Sequence, residues 1–479
     1  VPPLSACVCW IAWWPIISKA DGVLFGRVAF RILTDLPDGV PVIRPVTGPV
    51  GDFDGKPDSV WQQGDTVLTG LGADPEAAGA WGVQALLRRP HVAVDARGLP
   101  AATAARVAAG AILRAWRFDR LRTRPDETSP RLTAIDLVSD DAGTQAEWTR
   151  LSPGIEGALF VRDLVTEPSN VLTPATYPSL LARLAEAGVS IEVLDAAALA
   201  RQGFGGILAV GGGSAHPPCL IVLRWAGTLA APPVAFVGKG ITFDTGGICI
   251  KPADKMWEMR ADMAGSAACA GAMLALALRR SPAPAMAVLA VAENAIGAAS
   301  YRPGDVLRMH AGSTVAVVDT DAEGRLVLAD ALSYAVAQKP AAIIDLATLT
   351  GSIVVALGHE MAGAFTNNEV LREAARAAGA AIGERIWPMP IEEAHLCALD
   401  SDIADIRHCV AERGQPDASQ AAAFLRSFVG EVPWLHLDIA GVEERFETSE
   451  RHPKGATGFG ARLLDRLVAE RFEGAAPGP

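Results

Sequence analysis

The sequence has no CxxC pair, no zinc-finger spacing and no HExxH, and its eight histidines are dispersed. Any metal site must therefore be built mainly from other ligands. Seven cysteines (Cys7, Cys9, Cys219, Cys249, Cys269, Cys397 and Cys409) are odd in number and scattered. That is the pattern of free thiols in a reducing compartment. There is no basic run, and 42 Lys plus Arg against 54 acids leave a net charge of −12. Such a balance argues against a general binder of nucleic acid or anionic membrane. Internal repeats are also absent. The glycine-rich GFGGILAVGGGSA (203–215) matches neither GxGxxG nor a phosphate loop ending in GKS or GKT, and in GDFDGKP (51–57) Pro follows the Lys. Nucleotide binding gains no support.

Long apolar runs are scarce. ACVCWIAWWPII (6–17) has the length of a signal-peptide core, but no cationic segment precedes it and it holds three Trp in five residues. It is too short to span a bilayer as a helix. The expectation is a buried strand, or a consequence of the chosen translation start. No other segment reads as transmembrane, because the Ala-rich stretches contain regular Arg, Glu or Gly.

What is present is globular. Half the residues are hydrophobic and a fifth charged, and 479 residues suggest two or three domains with a large core. Up to about residue 140, short apolar runs alternate with Ala-rich helices. Strands are expected at 65–72 and 91–97, a helix begun by Pro100 at 99–118, and a loop at 123–131. After 161 the pattern becomes helix then strand. Helices are expected at 174–188, 262–280, 325–338, 369–382, 418–429 and 456–473, with strands at VSIEVLD, 219–225, 233–240 and 341–351. This predicts an α/β fold of two domains: a smaller N-terminal α/β domain (1–140) and a larger C-terminal one (161–479), joined by a linker helix region (141–160). The larger domain should have a mixed central sheet sandwiched by helices, with functional residues at the carboxyl ends of strands.

Three segments stand out. VVDTDAEGRLVLADAL (317–332) opens an apolar helix with Asp319, Asp321 and Glu323. Thr320 and Glu323 fit a capping box, and acids suit the start of a helix. A cap does not need Asp319 and Asp321 together, however. VGKGITFDTGGICIKP (237–252) places Lys239 at the end of an apolar strand, then Asp244, then Gly246-Gly247 as a tight turn before Lys251. Its bland reading is a Lys–Asp ion pair on a turn. MRADMAGSAA (259–268) puts Asp262 before an Ala-rich helix, where an N-cap is the commonest role. Together, Asp244, Asp262, Asp321 and Glu323 are four carboxylates beside sequence that should be buried. Four anions in one cleft repel unless protonated or neutralised, and two divalent cations would cancel them. Such centres place two metals roughly 3.5–4 Å apart and activate water for hydrolysis.

These segments, with RPGDVL, IIDLATLTG, HLDIAGV and KGATGFGARLL, resemble the leucyl (cytosol) aminopeptidase family of dinuclear metallopeptidases, densely over 155–479 and more loosely before. The resemblance implies an aminopeptidase that hydrolyses the N-terminal bond of peptides. Lys239, Asp244, Asp262 and Glu323 would hold a tighter metal, and Asp244, Asp321 and Glu323 an exchangeable one. The implied ions are two per subunit, Zn or Mn, with Mg or Co as alternatives. Lys239 must be neutral to ligate. Lys251 would polarise the scissile carbonyl, Arg325 would hold a bicarbonate, and the free α-amine of the substrate would ligate the exchangeable metal. The first-residue pocket would be lined by Met259, Thr348, Gly351, Ala440 and Glu443. A cytoplasmic homohexamer of two trimers is implied, with no membrane association.

Three positions depart from the family pattern. Asp319 stands where Asn is usual and Cys249 where Ser is common. Glu443 stands where a well-known member is apolar; it either enters the pocket or turns outward toward Arg445. Two other classes compete with the enzyme: a metal-binding scaffold that has lost activity, and a DNA-binding regulator. The intact set of site residues argues against the first and the net charge against the second.

Overall fold

In the computed structural model, residues 23–124, 129–412, 414–449 and 452–474 are described. The apolar run at 6–17 and part of the 123–131 loop lie outside them. The chain divides into two compact units, the first holding the chain to Ser152 together with Thr448–Pro453, and the second Pro153–Glu447 and the chain from Lys454. One helix, Thr144–Thr166, contains that boundary, with Pro153 inside it.

The first unit is built on a seven-stranded sheet. Five strands (Val28–Leu33, Ala134–Val138, His91–Asp95, Val42–Val46 and Thr66–Gly70) run parallel, and Val23–Phe25 and Val60–Gln63 add antiparallel edges. Helices Pro75–Leu86 and Ala101–Ala115 belong to this unit. Asp74 caps the first of them by accepting from Glu76 N, with Pro75 in its first turn.

The second unit has an eight-stranded mixed sheet in the order Ile386–Pro388, Ala362–Thr366, Trp434–Asp438, Ala342–Ala347, Val234–Asp244, Ala285–Asn294, Cys219–Trp225 and Ser190–Leu194. The four middle strands, from Trp434–Asp438 to Ala285–Asn294, are mutually parallel, so their carboxyl ends share one edge. Val234–Asp244 is buried along nearly its whole length, as expected for a strand covered on both faces. Alternate residues feed two cores. Phe236, Ile344 and Leu346 pack with helices Ala264–Leu278 and Ala461–Arg471. Ala235, Val237 and Ile343 pack with Glu323–Ala337 and Asp417–Arg426.

Two expected helices differ. The one at 174–188 breaks into Tyr177–Leu180 and Ala182–Glu186, because the fully buried Leu181 leaves the helical region. The one at 456–473 starts only at Ala461, because Gly455–Ala456 pairs with Glu444–Arg445 as a short ladder. The stretch Met256–Leu278 is long and apolar enough to cross a membrane, but 94% of its 18-residue apolar window is buried inside the fold. It is a core helix.

Candidate metal centre

A regular strand would send Lys239 and Asp244 to opposite faces, since five residues separate them. The strand is irregular between Ile241 and Asp244: Ile241 pairs with Ala292, but Asp244 pairs with Asn294. One extra residue is absorbed there, and a single-residue bulge returns Asp244 to the Lys239 side. The chain then turns at Gly246 and Gly247, both at positive φ (85° and 64°), and Lys251 N bonds back to Thr245 O at 2.9 Å. That closure carries the Lys251 side chain back over Asp244.

The acids converge on these two lysines. Lys239 Nζ lies 2.8 Å from both Asp262 Oδ1 and Glu323 Oε1 and donates to Thr348 O at 3.0 Å. Lys251 Nζ lies 2.8 Å from Asp244 Oδ2 and 2.5 Å from Asp321 Oδ1. The Lys239 side chain is 4% exposed and that of Lys251 21%, so only the second opens toward solvent. Gly324 is required by this approach. A Cβ there would sit 2.7 Å from Lys239 Cε and 2.8 Å from its Nζ.

The capping readings of the acids do not hold. Helix Glu323–Ala337 has Ala322 at its N-cap with no side-chain cap, so Thr320 forms no capping box. Thr320 Oγ1 instead donates to Gly246 O and accepts from Cys249 N. Asp262 does not cap the Ala264–Leu278 helix, whose N-cap is Met263. Lys239 pairs with Asp262 and Glu323, and the Lys–Asp ion pair across the turn is made by Lys251 with Asp244.

Burial opposes charge on Asp262, Glu323, Asp321 and both lysines. It is the largest influence raising Asp262 and Glu323 above the ordinary carboxyl range, with Asp244 among the repelling neighbours. Asp321 is pushed up to about 6 by burial and then by Asp244. Burial also disfavours the two ammonium groups. The acids outweigh it, with Asp262 the largest for Lys239 and Asp244 the largest for Lys251, and both lysines end above their ordinary value.

Ligand oxygens of Asp244, Asp262 and Glu323 lie within 4.8 Å of one another, and all three residues are buried. Asp262 Oδ2 and Glu323 Oε2 are buried without a hydrogen-bond partner. Orphaned carboxylate oxygens at this spacing, with Asp321 beside them, fit a hard or borderline divalent cation.

Several residues that the sequence left without a role hold this set in place. Asn294 Nδ2 donates to Asp244 Oδ1 and to Thr320 O, and Tyr301 OH donates to the same carbonyl. Asp319 Oδ1 accepts from Asp321 N at 2.9 Å, a bond that Asn would also make. Cys249 Sγ accepts from Thr320 N. Asn294 ends a buried strand, a placement sequence could have flagged. HLDIAGV contained Asp438, but nothing in it marked a role.

Of the proposed pocket residues, Thr348 is closest to the acids in bonding: its Oγ1 donates to Asp262 Oδ1 at 2.7 Å. Asp438 accepts from Leu349 N, Thr350 Oγ1 and Ala440 N, tying the 348–351 turn to Ala440. Gly351 begins a helix capped by Thr350. Met259 O accepts from Asp262 N. Glu443 does not pair with Arg445, which binds Glu360 Oε1 at 2.8 Å; Glu443 Oε2 is buried without a hydrogen-bond partner.

Arg325 is 3% exposed. Its Nη2 donates to Asp417 Oδ1 at 2.9 Å and its Nη1 to His408 O at 3.2 Å, while Nε is buried without a partner. Burial works against the guanidinium charge, and Asp417 more than restores it. His408 lies behind, its Nε2 2.8 Å from Asp319 O. Burial, and then Arg325, pushes its imidazole down to about 4. A neutral ring donating Nε2–H to that carbonyl fits both facts.

Comparison with known proteins bears on this geometry. The sequence model described as "Cytosol aminopeptidase family, catalytic domain" matches residues 159–465. A "Probable cytosol aminopeptidase" of Gluconobacter oxydans is 46% identical over 363 residues, 75% of this chain and 74% of that protein. One from Methylorubrum extorquens is 41% identical across 94% of this chain and 88% of its own. Among solved structures, the bottromycin maturation enzyme BotP in complex with Mn is similar at TM-score 0.82 and 32% identity, over 90% of this chain and 99% of that one. The cytosol aminopeptidase from Coxiella burnetii is similar at TM-score 0.81 and 29% identity, over 92% and 99%.

Proposed function

The chain belongs to the cytosol aminopeptidase family and is a metal-dependent aminopeptidase, and we propose that its centre takes two divalent cations, zinc or manganese, with magnesium or cobalt as alternatives. Lys239, Asp244, Asp262 and Glu323 would hold one ion, and Asp244, Asp321 and Glu323 the other. The carrying observation is the trio Asp244, Asp262 and Glu323, with ligand atoms within 4.8 Å and two orphaned oxygens. The manganese complex of the similar BotP supports the choice of ion class. When bound, the ions supply Lewis acidity and an activated water. Lys239 must release its proton and its two ion pairs to act as a ligand. Lys251, the more exposed lysine, keeps its charge and is placed to polarise the scissile carbonyl.

The substrates are peptides with a free N-terminus. Met259, Thr348, Gly351, Ala440 and Glu443 form the first-residue pocket, a reading supported by the Asp438 bonds that join 348–351 to Ala440. Assembly as a cytoplasmic homohexamer follows the family resemblance, and light scattering should return about six chain masses. The scaffold and DNA-binding alternatives are not favoured by the relatives.

Two substitutions test the centre. Glu323→Gln keeps the shape but removes a charge shared by both ions, so bound metal and turnover should fall together. Two ions per chain with activity within a few-fold of the parent would overturn the dinuclear assignment. Lys251→Ala should retain metal while lowering turnover by roughly two to three orders of magnitude on an aminoacyl anilide. Loss of metal there would make Lys251 a ligand instead.

A further inference from the structure

At two acids of the centre, the protein holds one oxygen and leaves the other. Asp262 Oδ1 accepts from Thr348 Oγ1 and faces Lys239 Nζ, while Oδ2 is buried without a hydrogen-bond partner. Asp244 is arranged in the same way. Its Oδ1 accepts from Gly246 N and from Asn294 Nδ2, both at 2.8 Å. Two N–H donors use the favoured lone-pair directions of that oxygen, so the acceptor capacity left to Asp244 is on Oδ2. Both donors are neutral. They fix the carboxylate without cancelling the negative charge that a cation needs.

Asn294 ends the strand Ala285–Asn294 and is 1% exposed. Its backbone is fixed from the turn beside it: Asn294 O accepts from Thr245 N at 3.0 Å and from Thr245 Oγ1 at 2.8 Å. The side-chain amide has two hydrogens and uses both. One goes to Asp244 Oδ1 and the other, at 3.0 Å, to the carbonyl of Thr320, the residue before Asp321. Both neighbours are acceptors, which sets the amide with its nitrogen toward them. The amide oxygen lies against Gly247, where a Cβ would come within 2.9 Å of it. An ionised Asp would offer no donor in this place, Leu none and Ser one.

We propose that Asn294 is a positioning residue of the metal centre that acts through Asp244. Its amide keeps Oδ1 engaged, so that Asp244 serves the cations through Oδ2. The second hydrogen ties this acid to the loop that carries Asp321. The inference rests on the metal-centre reading above, and its test separates the two. Tyr301 supplies the control: its single phenolic hydrogen goes to the same Thr320 carbonyl, at 2.8 Å, and so cannot hold Asp244.

Parent, Asn294→Leu, Asn294→Ala and Tyr301→Phe are stripped with chelator and reloaded with cobalt. Affinity is measured against a competing chelator, and the visible absorption of bound cobalt reports the number and geometry of its ligands. Thermal unfolding of the stripped proteins shows which variants fold. Asn294→Leu keeps the volume and Asn294→Ala adds no bulk, so one stays readable if the other does not fold. Both should bind cobalt about tenfold to a hundredfold more weakly. Both should also change the shape of the absorption band, because Asp244 becomes free to turn Oδ1 toward the ions. Tyr301→Phe should stay within about threefold of the parent in affinity and keep the parent band. Folded Asn294 variants with the parent's affinity and band overturn the proposal. A fall in affinity with an unchanged band does so too, since a merely structural loss would give that. So does a Tyr301→Phe variant that reproduces both changes, because the Thr320 carbonyl would then account for the whole effect. A parent that takes up no divalent cation would instead sink the metal-centre reading.

Discussion

Glu443 shows how one carboxyl can set specificity through its proton. Burial, foremost, pushes it up to about 8, and Arg445, its nearest candidate partner in sequence, is occupied by Glu360. At pH 7 the group is mostly neutral, and it becomes an anion as pH rises through 8. If it lines the first-residue pocket, the preference for Arg over Leu should grow over the same range. The α-amine also titrates near there, but it is common to both substrates and cancels in their ratio. The kcat/KM ratio of Arg- to Leu-anilide should rise by about tenfold between pH 7 and 9, worth about 1.4 kcal/mol of differential interaction. Glu443→Met should flatten that slope and favour Leu at every pH. Parallel profiles for parent and variant would place Glu443 outside the pocket.

At the scale of elements, the site depends on how one helix start meets one strand. Helix Glu323–Ala337 brings Gly324 against the Lys239 side chain with no room for a Cβ. Ala is the better helix former by about 1 kcal/mol, so propensity alone would make Gly324→Ala stabilising. Packing should decide otherwise, because Lys239 Nζ is held by three oxygens and cannot yield without leaving them. The variant should unfold within a few degrees of the parent yet bind metal at least about tenfold more weakly. Unchanged metal affinity would mean that Lys239 has a second place to go. The same contacts explain what was legible in the sequence. Acids and a lysine flanking apolar runs announced their own burial, so Lys239, Asp244, Asp262, Asp321 and Glu323 could be read. The bulge that turns Asp244 inward leaves no mark on composition. Asp417 lies 92 residues from Arg325 and Asn294 lies 50 from Asp244. Such partners are chosen by tertiary packing, and no periodicity records them. The mixed sheet was legible for the opposite reason: alternation of helix and strand is local.

Across the whole molecule, the net charge of −12 conceals a centre whose acids are reluctant to ionise. Without metal, Asp262, Glu323 and Asp321 have raised proton affinity in the folded state, Asp321 to about 6. A folded state that holds protons more tightly than the unfolded chain gains stability below the unfolded carboxyl values and loses it as pH rises. The stripped protein should therefore lose stability as pH climbs from about 4, through about 6 for Asp321, and as Asp262 and Glu323 ionise above the ordinary carboxyl range. Lys239 and Lys251 do not reverse this, since their raised values contribute fully until well above neutral pH. Metal binding needs the deprotonated ligands, so its stabilisation grows across the window in which the stripped protein weakens. At a hundredfold excess of metal over Kd the gain is about 2.7 kcal/mol, or several degrees in Tm. Scanning calorimetry with metal and with chelator should show curves that nearly coincide near pH 4.5 and separate by about 5 °C or more at pH 7. A separation that stays constant with pH would mean that the ions displace no protons from these acids, and that the acids are not their ligands.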